Sequence, residues 1–471
     1  MNINIPEILN KNIAIKARFI KTSNGEIPIL FIPQLTDRHF LSEFVIEPIV
    51  RNKNIEITSE VLMKEMLTID EMEIGTDFAL IEEHILNGMT VVILDSDYVV
   101  VNIKKVERKN VGEPQISYTL RGPKDSLVEN LEANLSLLRY RIKDEHMATE
   151  NFKVGRRTKT SVAMFYLDDV ANSKVVEEVR KRINDIDVDG ILESGELQQF
   201  LTKGKFQIFP QLGIVERSDM AAGAILEGKI VILVDGSGIG LVAPKVFVEY
   251  FGSEDDHYDN KFFGAYSKRI RMFALFVMIL LMPTYVATVT FKLQYFSPKY
   301  LELIYSLRQN VPFSPMIEAL LAVFVIELLR ESLLRVPNVV GGAIGIAAGV
   351  ILGDAVVTAG ILSTLTLIIA TLTLLMSFTP PDFTIAHPFR IFHPILIILA
   401  GFFSFWGILG GVIILIIVLA THKSFGVPFL APIIPFYPGD AAKSFYYSKT
   451  DCVQRPKFLN LKDKVRGKKG S

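Results

Sequence analysis

The fold is decided by a stretch of twenty uncharged residues, Met272–Phe291, which reads MFALFVMILLMPTYVATVTF. At about 1.5 Å of rise per residue, a helix of this length spans a hydrocarbon core of roughly 30 Å. Other apolar runs follow it, and residues 272–439 together contain only 7 basic and 6 acidic side chains. This charge-poor region predicts a helical membrane domain.

The membrane domain is predicted to contain four crossings and one further apolar segment at about 312–334. Charged side chains are expensive on a lone lipid-facing helix, so we interpret this segment as a helix buried against its neighbours or lying partly in the interface. The charged residues in or next to it are Glu318, Glu327, Arg330, Glu331 and Arg335. The predicted crossings are 272–291, about 339–358, about 361–379 and 394–421.

Basic residues flank the membrane domain on both sides. Lys268, Arg269 and Arg271 precede the first crossing, and residues 440–471 contain 9 basic and 3 acidic side chains. Short positive flanks are typical of the cytoplasmic side, so both flanks are expected there and the number of crossings is expected to be even. The N-terminus has no apolar core of signal-peptide length, which predicts a cytoplasmic N-terminal region.

The N-terminal region contains an internal repeat with an offset of 140 residues. Leu86-Asn87-Gly88 and the strand-like residues 91–95 match Leu226-Glu227-Gly228 and residues 231–235. Each copy predicts a helix that ends at the glycine and a β-hairpin that follows it. We therefore expect an α/β cytoplasmic region of two related modules, followed by an α-helical transmembrane domain of about four to five helices. The predicted boundaries are 1–145 for module 1 with a linking helix, 146–260 for module 2, 261–439 for the membrane domain and 440–471 for a basic cytoplasmic tail.

Composition and motifs give no case for an enzyme, a cofactor or a metal. A single cysteine, Cys452, excludes a disulfide framework and a cysteine-based zinc site. The glycine-rich run 236–240 lacks the third glycine that opens a helix in dinucleotide-binding loops, so we interpret it as a hairpin turn. The net charge of −1 gives no footprint for nucleic acid.

Glycines recur at every fourth position in the segment 339–358, which places them on one helix face: Gly341, Gly345, Gly349 and Gly353. Such a row allows a neighbouring backbone to approach closely. The row is consistent with ordinary helix association or with close packing of identical helices around an axis. Asp354 follows the row, and in a ring of subunits it would form a ring of carboxylates of the kind that cation pores use.

Two further sets of polar residues are candidates for function. Thr366, Thr373 and Ser377 share one helical face, which either touches water or bonds back to its own helix. In the segment 312–334, Glu327, Arg330 and Glu331 share a face from which Glu318 points away. We prefer mutual ion pairing within the bundle for these charges, with direct contact to a permeating ion as the alternative.

Several blocks along the chain resemble the A subunits of the GerA-type spore germination receptors, in the same order and over nearly the whole length. One departure is Pro380-Pro381-Asp382-Phe383, where that family usually has Pro-x-Tyr. The blocks are Arg121–Pro123, Gly155–Thr160, Glu216–Asp219, Asn310–Phe313, Glu327–Glu331, Gly342–Gly360 and Phe425–Pro428.

The resemblance implies a subunit of a nutrient receptor in the spore inner membrane. It implies a transporter-like B subunit and a lipoprotein C subunit as partners, and a homo-oligomer, with a pentamer as the expected form. This oligomer would conduct cations, and its opening would trigger germination. The alternatives are an auxiliary channel of the stage V sporulation AF type, a scaffold that does not conduct, and a secondary transporter. The transporter is disfavoured because the membrane segments show no inverted repeat.

Overall fold

The structure is a computed structural model of the chain. It describes residues 15–23, 25–105, 114, 117, 122–204, 207–253, 255–258, 260–333, 345, 349–351, 353–446 and 454–466.

The chain forms two compact units, which differ in their boundaries from the predicted domains. The N-terminal unit comprises Met1–Lys205, Gln211–Pro244 and Val453–Ser471, and the helical unit comprises Phe206–Pro210 and Lys245–Cys452. The predicted boundary of module 2 at residue 260 is therefore 16 residues too late. The last part of the predicted basic tail, Val453–Ser471, belongs to the N-terminal unit.

The N-terminal unit contains two five-stranded sheets with the same strand order, β1-β2-β4-β5-β3 and β6-β7-β9-β10-β8. All neighbouring strands are antiparallel. The predicted duplication is therefore confirmed at the level of topology. The strands are β1 (Lys16–Thr22), β2 (Gly25–Phe31), β3 (Met72–Gly75), β4 (Thr90–Ile93), β5 (Tyr98–Val101), β6 (Met147–Val154), β7 (Thr160–Leu167), β8 (Gly213–Val215), β9 (Ile230–Val234) and β10 (Gly240–Ala243).

Both modules have short helices that cover their sheets. Regular α-helices of six or more residues are numbered here, and the first five are α1 (Ile81–Leu86), α2 (Leu131–Arg141), α3 (Ser173–Asn184), α4 (Ser194–Leu201) and α5 (Ser218–Leu226). Module 1 also has helical turns at Arg38–Phe40, Leu41–Ile46, Glu47–Arg51, Ser59–Val61, Leu62–Met66 and Phe78–Leu80. Helices α1 and α5 end at Gly88 and Gly228, which both have φ of +85°, a conformation that glycine adopts without steric cost.

The central strands of module 1 are buried on both faces. Ile29 and Val92 belong to one apolar core, whereas their neighbours Leu30 and Val91 belong to another. Because successive side chains of a strand point to opposite faces, continuous runs of Val, Ile and Leu fill both cores.

The helical unit contains six numbered helices: α6 (Lys261–Phe291), α7 (Pro298–Arg308), α8 (Pro315–Leu333), α9 (Thr364–Ser377), α10 (Ala386–Thr421) and α11 (Pro438–Tyr446). Two helical stretches, Phe262–Phe291 and Phe383–Thr421, are long and apolar enough to cross a membrane. Shorter apolar helices lie at Gly349–Thr358 and Thr364–Ser377. The remaining short elements are Phe247–Phe251, Asp255–Tyr258, Leu293–Tyr295, Phe383–Ile385 and the strand pair β11 (Lys423–Ser424) and β12 (Val427–Pro428).

Helix α10 is folded into a hairpin at Ser404, whose φ of 56° and ψ of −141° are not helical. A Cβ atom on Gly411 would lie 2.3 Å from Leu396 Cδ2, although 15 residues of straight helix would separate them by roughly 22 Å. The two ends of the hairpin also meet, because the rings of Phe389 and His422 both pack against Phe209, with centroids 5.4 and 6.1 Å away. The prediction of a single crossing at 394–421 is therefore wrong. The chain reverses direction within this apolar run.

The hairpin gives the bundle a base end, where residues 386 and 421 lie, and a tip end at Ser404. The first half of α6 packs at the base end and its second half at the tip end. Helices α8 and α9 run side by side from tip to base, because Glu318 bonds to Ser363 at one end and Arg330 to Ser377 at the other. Helix α8 thus runs the length of the bundle, with Glu318, Ala319 and Ala322 buried on one side and Phe324 and Leu328 exposed on the other.

The helical bundle begins and ends at its base end, because the first half of α6 and the end of α10 both lie there. Helix α6 passes to the tip, α8 returns, and Gly360 lies at the tip again, where a Cβ atom on it would be 2.5 Å from the carbonyl oxygen of Asn310. Helix α9 then returns to the base, and the α10 hairpin begins and ends there.

Candidate functional site

A polar cluster at the tip end is built around Glu318, which is fully buried in the first turn of α8. Its Oε2 atom accepts a hydrogen bond of 2.5 Å from Arg308 Nη1, and its Oε1 atom accepts one of 2.6 Å from the backbone N–H of Ser363. Arg308 also donates to the hydroxyl of Tyr285 at 3.0 Å, and that hydroxyl lies 2.9 Å from Thr366 Oγ1. Four helices, α6 to α9, are thereby joined by one ion pair and its hydrogen bonds.

The sequence explains why Glu318 is tolerated at this depth. An acidic side chain in the first turn of a helix is stabilised by the helix dipole, and the N-terminal N–H of the neighbouring helix supplies a second donor. Arg308 neutralises the remaining charge. A buried charge that is paired and hydrogen-bonded in this way ties helices together with little freedom of movement.

A second polar cluster lies at the base end, nine residues further along α8. Arg390, in the first turns of α10, donates two hydrogen bonds to Glu327, one of them 3.1 Å from Nε to Oε1. Arg330 donates to Ser377 Oγ at 2.7 Å, and its guanidinium lies 4.9 Å from the centroid of the Phe378 ring. This cluster joins α8, α9 and the base of the hairpin.

The base cluster encloses a cavity of about 20 Å³, which has room for one water molecule. Two buried nitrogens, Arg330 Nε and His393 Nε2, have no hydrogen-bond partner among the described residues. A water molecule here would satisfy both. The polar residues that line the cavity are Glu327, Arg330, Thr373, Ser377, Arg390 and His393.

The predicted hydroxyl face is directed into the bundle. Thr366, Thr373 and Ser377 are all buried. Thr373 Oγ1 donates to the carbonyl of Ile369 at 2.9 Å, and Ser377 Oγ donates to that of Leu374 at 2.6 Å. The structure therefore shows hydroxyls that bond back to their own helix, two of which also touch the polar cavity.

The glycine row has a different environment from the polar clusters. A Cβ atom on Gly349 would meet no atom within 4 Å, and one on Gly353 would meet only Leu367, at 3.7 Å. Gly345 is helical, Asp354 is exposed, and Gly341 lies outside the described residues. In the described part of the chain, the face predicted for close packing therefore has almost no neighbour.

The charged residues of the segment 312–334 belong to two separate clusters, Glu318 at the tip end and Glu327 with Arg330 at the base end. Ion pairs form within the bundle, as preferred, but their basic partners are Arg308 and Arg390 on other helices and not Arg330. Glu331 is exposed, and Arg335 lies outside the described residues. The residues missed from the sequence are Tyr285, Arg308, Ser363, Arg390 and His393.

One signal for the missed partners was present in the sequence. An arginine in the first turns of the most apolar helix needs a nearby acid, since an unpaired charge there is expensive. Spacing alone could not select that acid, because Glu327 and Arg390 are 63 residues apart. The described residues contain no group of three or more His, Cys, Asp or Glu side chains that could hold a metal ion.

Comparison with known proteins identifies the relatives of this architecture. The family model described as the Bacillus/Clostridium GerA spore germination protein matches residues 4–458. Spore germination protein KA of Bacillus subtilis (strain 168) is 31% identical over 445 residues, which cover 93% of this chain and 82% of that protein. Spore germination protein GerLA of Bacillus cereus is 31% identical, with coverage of 92% and 89%.

Two further matches are a sporulation protein with another name and a crystal structure of an N-terminal domain. Stage V sporulation protein AF of Bacillus subtilis (strain 168) is 27% identical, with coverage of 94% of this chain and 90% of that protein. The crystal structure of the N-terminal domain of the A subunit of the Bacillus megaterium spore germinant receptor GerK3 matches with a TM-score of 0.39 and 28% identity, covering 52% of this chain and 94% of that one. The extent of the family match and the identity to spore germination proteins lead to one conclusion: the chain belongs to the GerA spore germination protein family.

Proposed function

We propose that this protein is the A-type subunit of a nutrient germinant receptor in the inner membrane of the spore, and that several copies form a cation channel. The proposed partners are further copies of the chain, arranged in a ring with a pentamer as the expected form, together with a B-type transporter-like subunit and a C-type lipoprotein subunit. The N-terminal unit would lie in the cytoplasm. Family membership and the two long apolar helices support a membrane protein that acts in spore germination.

The observation that supports assembly is the open glycine face. Glycines pay an entropic cost in a helix, which is normally offset where a neighbouring backbone packs closely against them. Gly349 has open space around it in the single chain, and its neighbours Val350 and Ile351 are about two-thirds exposed. A second copy of the same helix would bury this surface and bring the Asp354 carboxylates towards one axis.

The two polar clusters suggest which parts of each subunit stay rigid during gating. They fix α8 to α7, α9 and the hairpin at both ends of the bundle, so these helices would move as one body. Among the described residues of the glycine helix, Gly349 and Gly353 meet almost no neighbour, so a change in the tilt of this helix would be the least costly motion. A nutrient bound by a partner subunit would shift this equilibrium only by its difference in affinity for the two states.

Assembly is tested by replacing Gly349 with leucine. We expect Gly349→Leu to reduce the oligomer on native gels or by mass photometry in nanodiscs. The matched control is Gly410→Leu in α10, where a Cβ atom also meets nothing within 4 Å. Equal oligomer for both variants and the unchanged protein would contradict a role for the glycine face.

Conduction is tested with purified protein in planar bilayers. We expect Asp354→Asn to lower the preference for cations over anions, whereas Glu302→Gln, an exposed acid on α7, should leave it unchanged. Absence of any current from an assembled oligomer would favour a scaffold. Saturable solute uptake would favour a transporter.

The receptor and the auxiliary channel are separated by the phenotype of the spore. Spores that lack this gene should lose release of potassium and dipicolinate in response to one nutrient or one set of nutrients. Uniform slowing with every nutrient would instead favour a role like that of an auxiliary channel, which the similarity to stage V sporulation protein AF makes the second candidate.

A further inference from the structure

The C-terminal segment 454–466 packs against module 2 in the N-terminal unit. Three of its apolar side chains, Phe458, Leu459 and Leu461, are buried. The backbone N–H of Lys462 donates to the carbonyl of Val170 at 2.9 Å, and Asn172 Nδ2 donates to the carbonyl of Leu459 at 3.0 Å. This segment is thus bound by backbone hydrogen bonds and by an apolar contact.

Module 1 shows what this segment replaces. The registers of the two sheets make Leu35 equivalent to Val170. Ile29 of β2 pairs with Val92, and Met164 of β7 pairs with Ile232, the residue that the repeat aligns with Val92. Leu35 and Val170 each lie six residues after these strand residues. In module 1 the backbone N–H of Lys105 donates to the carbonyl of Leu35, also at 2.9 Å. The bond from Lys462 to Val170 is therefore the same bond, made by a different part of the chain.

The glycines that end α1 and α5 give an independent comparison. A Cβ atom on Gly88 would meet Lys104 and Leu35, and one on Gly228 would meet Leu461 and Val170. Leu461 therefore occupies the place of Lys104, just as Lys462 occupies the place of Lys105. In module 1 these residues follow β5 directly, whereas in module 2 the chain after β10 leaves at Pro244 for the helical unit.

Charged contacts complete the fit. Lys462 Nζ donates to the carbonyl of Asp168 at 2.6 Å, and Arg466 lies 3.6 Å from Glu227, the residue that precedes Gly228. Arg455 forms an ion pair with Asp463 inside the segment and donates to the carbonyl of Leu226 at 3.4 Å. The basic side chains of the segment thus contact acidic and carbonyl groups of module 2.

We propose that residues 454–466 are a donated segment that completes module 2, so that module 2 gains stability when the C-terminal segment has returned to it from the helical unit. The segment acts as an intramolecular ligand, equivalent to the strand end that module 1 supplies from its own sequence. Correct insertion of the helical unit is then a condition for a complete N-terminal unit. This inference does not depend on channel activity.

The test uses the full-length protein in nanodiscs and amide hydrogen exchange measured by mass spectrometry. We expect Leu461→Asp to accelerate exchange in β7, β9 and α5 by about tenfold or more, because a charge replaces a buried apolar contact. The matched control is Val465→Asp in the same segment, where the side chain is 48% exposed and exchange should stay unchanged. Exchange in β4 of module 1 should stay unchanged in both variants.

A chain that ends after residue 453 gives a second test. It should show the same acceleration, and a synthetic peptide of residues 454–466 should slow exchange again, whereas the same peptide with aspartate in place of Leu461 should not. Unaltered exchange in the shortened chain, or no rescue by the peptide, would overturn the proposal. If the shortened chain does not fold, equal exchange in Leu461→Asp and Val465→Asp would overturn it.

Discussion

Replacing Glu318 with alanine should destabilise the helical unit more than any other single charge removal on α8. Glu318 is fully buried, and the side chain of its partner Arg308 is 13% exposed. The change leaves an arginine without its counter-ion and the N–H of Ser363 without its acceptor. Breaking a buried pair by removing one partner costs roughly 3–5 kcal/mol.

The lower end of that range applies, because Arg308 keeps two acceptors. Its guanidinium still donates to the Tyr285 hydroxyl at 3.0 Å and to the carbonyl of Phe313 at 3.3 Å. We therefore expect Glu318→Ala to lower the free energy of unfolding by about 3 kcal/mol. Removing both charges, with Arg308→Met and Glu318→Leu together, should recover most of this loss, because no unpaired charge then remains.

The measurement is reversible unfolding in mixed micelles, followed by the fluorescence of Trp406. This is the single tryptophan of the chain, and it lies two residues beyond the turn of the hairpin, so its signal reports on the helical unit. The control is Glu302→Ala, an exposed acid for which we expect a change within about 0.5 kcal/mol. Similar small losses for Glu318→Ala and Glu302→Ala would refute the assignment of Glu318 as the organising residue of the tip cluster.

Three further predictions concern other contacts. Asp382→Asn should lower the free energy of unfolding by about 2 kcal/mol in the same assay, because it leaves the largely buried Lys245 without its 2.5 Å ion pair. The hydrogen bond that residue 382 accepts from the Thr384 N–H is kept. An unchanged free energy of unfolding would show that the ring of Tyr250 alone satisfies Lys245. The hydrogen bond from Arg180 holds the pKa of Glu150 below its usual range, so this contribution to stability is present above about pH 4.3 and is lost as the pH falls through the lower folded value. Glu150→Gln should therefore flatten the acid-induced loss of stability of the N-terminal unit in circular dichroism, and an unchanged slope would contradict this. Gly88→Ala should lower the thermal unfolding temperature of the N-terminal unit, by the roughly 1–2 kcal/mol that an L-residue pays at positive φ, and Gly223→Ala in α5 is its control because φ is ordinary and space is open there.

Much of the N-terminal unit could be predicted because its signals are local. The repeat at an offset of 140 residues, the glycine after each helix and the hairpin turn all depend on neighbours in sequence. The run at 236–240 is a turn between β9 and β10, as interpreted, with Gly236 at a φ of +85°.

The features that escaped prediction depend on residues far apart in the chain. The residue at which the chain reverses, Ser404, is neither glycine nor proline, so the position of the reversal has no local sequence signal. The reversal is possible because Gly407 and Gly411 let the two arms approach within a distance that a Cβ atom would block. Periodicity cannot reveal such a contact, since it assumes a continuing helix.

The pairing of the charged residues could not be predicted for the same reason. An acid in an apolar segment, such as Glu318 or Glu327, is expected to need a basic partner, but chemistry alone does not choose among the seven arginines and lysines of residues 272–439. Arg308 was available only 10 residues away, yet a turn separates it from Glu318. The partner is fixed by which helix ends meet, which is a property of the packed bundle.

The position of the C-terminal segment has an evolutionary reading. The two modules share one strand order, and the helical unit lies in sequence between the last strand of the second module and its closing segment, which is the arrangement expected from a duplication followed by an insertion. The insertion point is at Pro244, and the interrupted copy resumes at residue 454. Excising residues 245–453 and joining the ends with a short linker should therefore give a water-soluble protein with two complete modules, a practical route to the N-terminal unit without detergent.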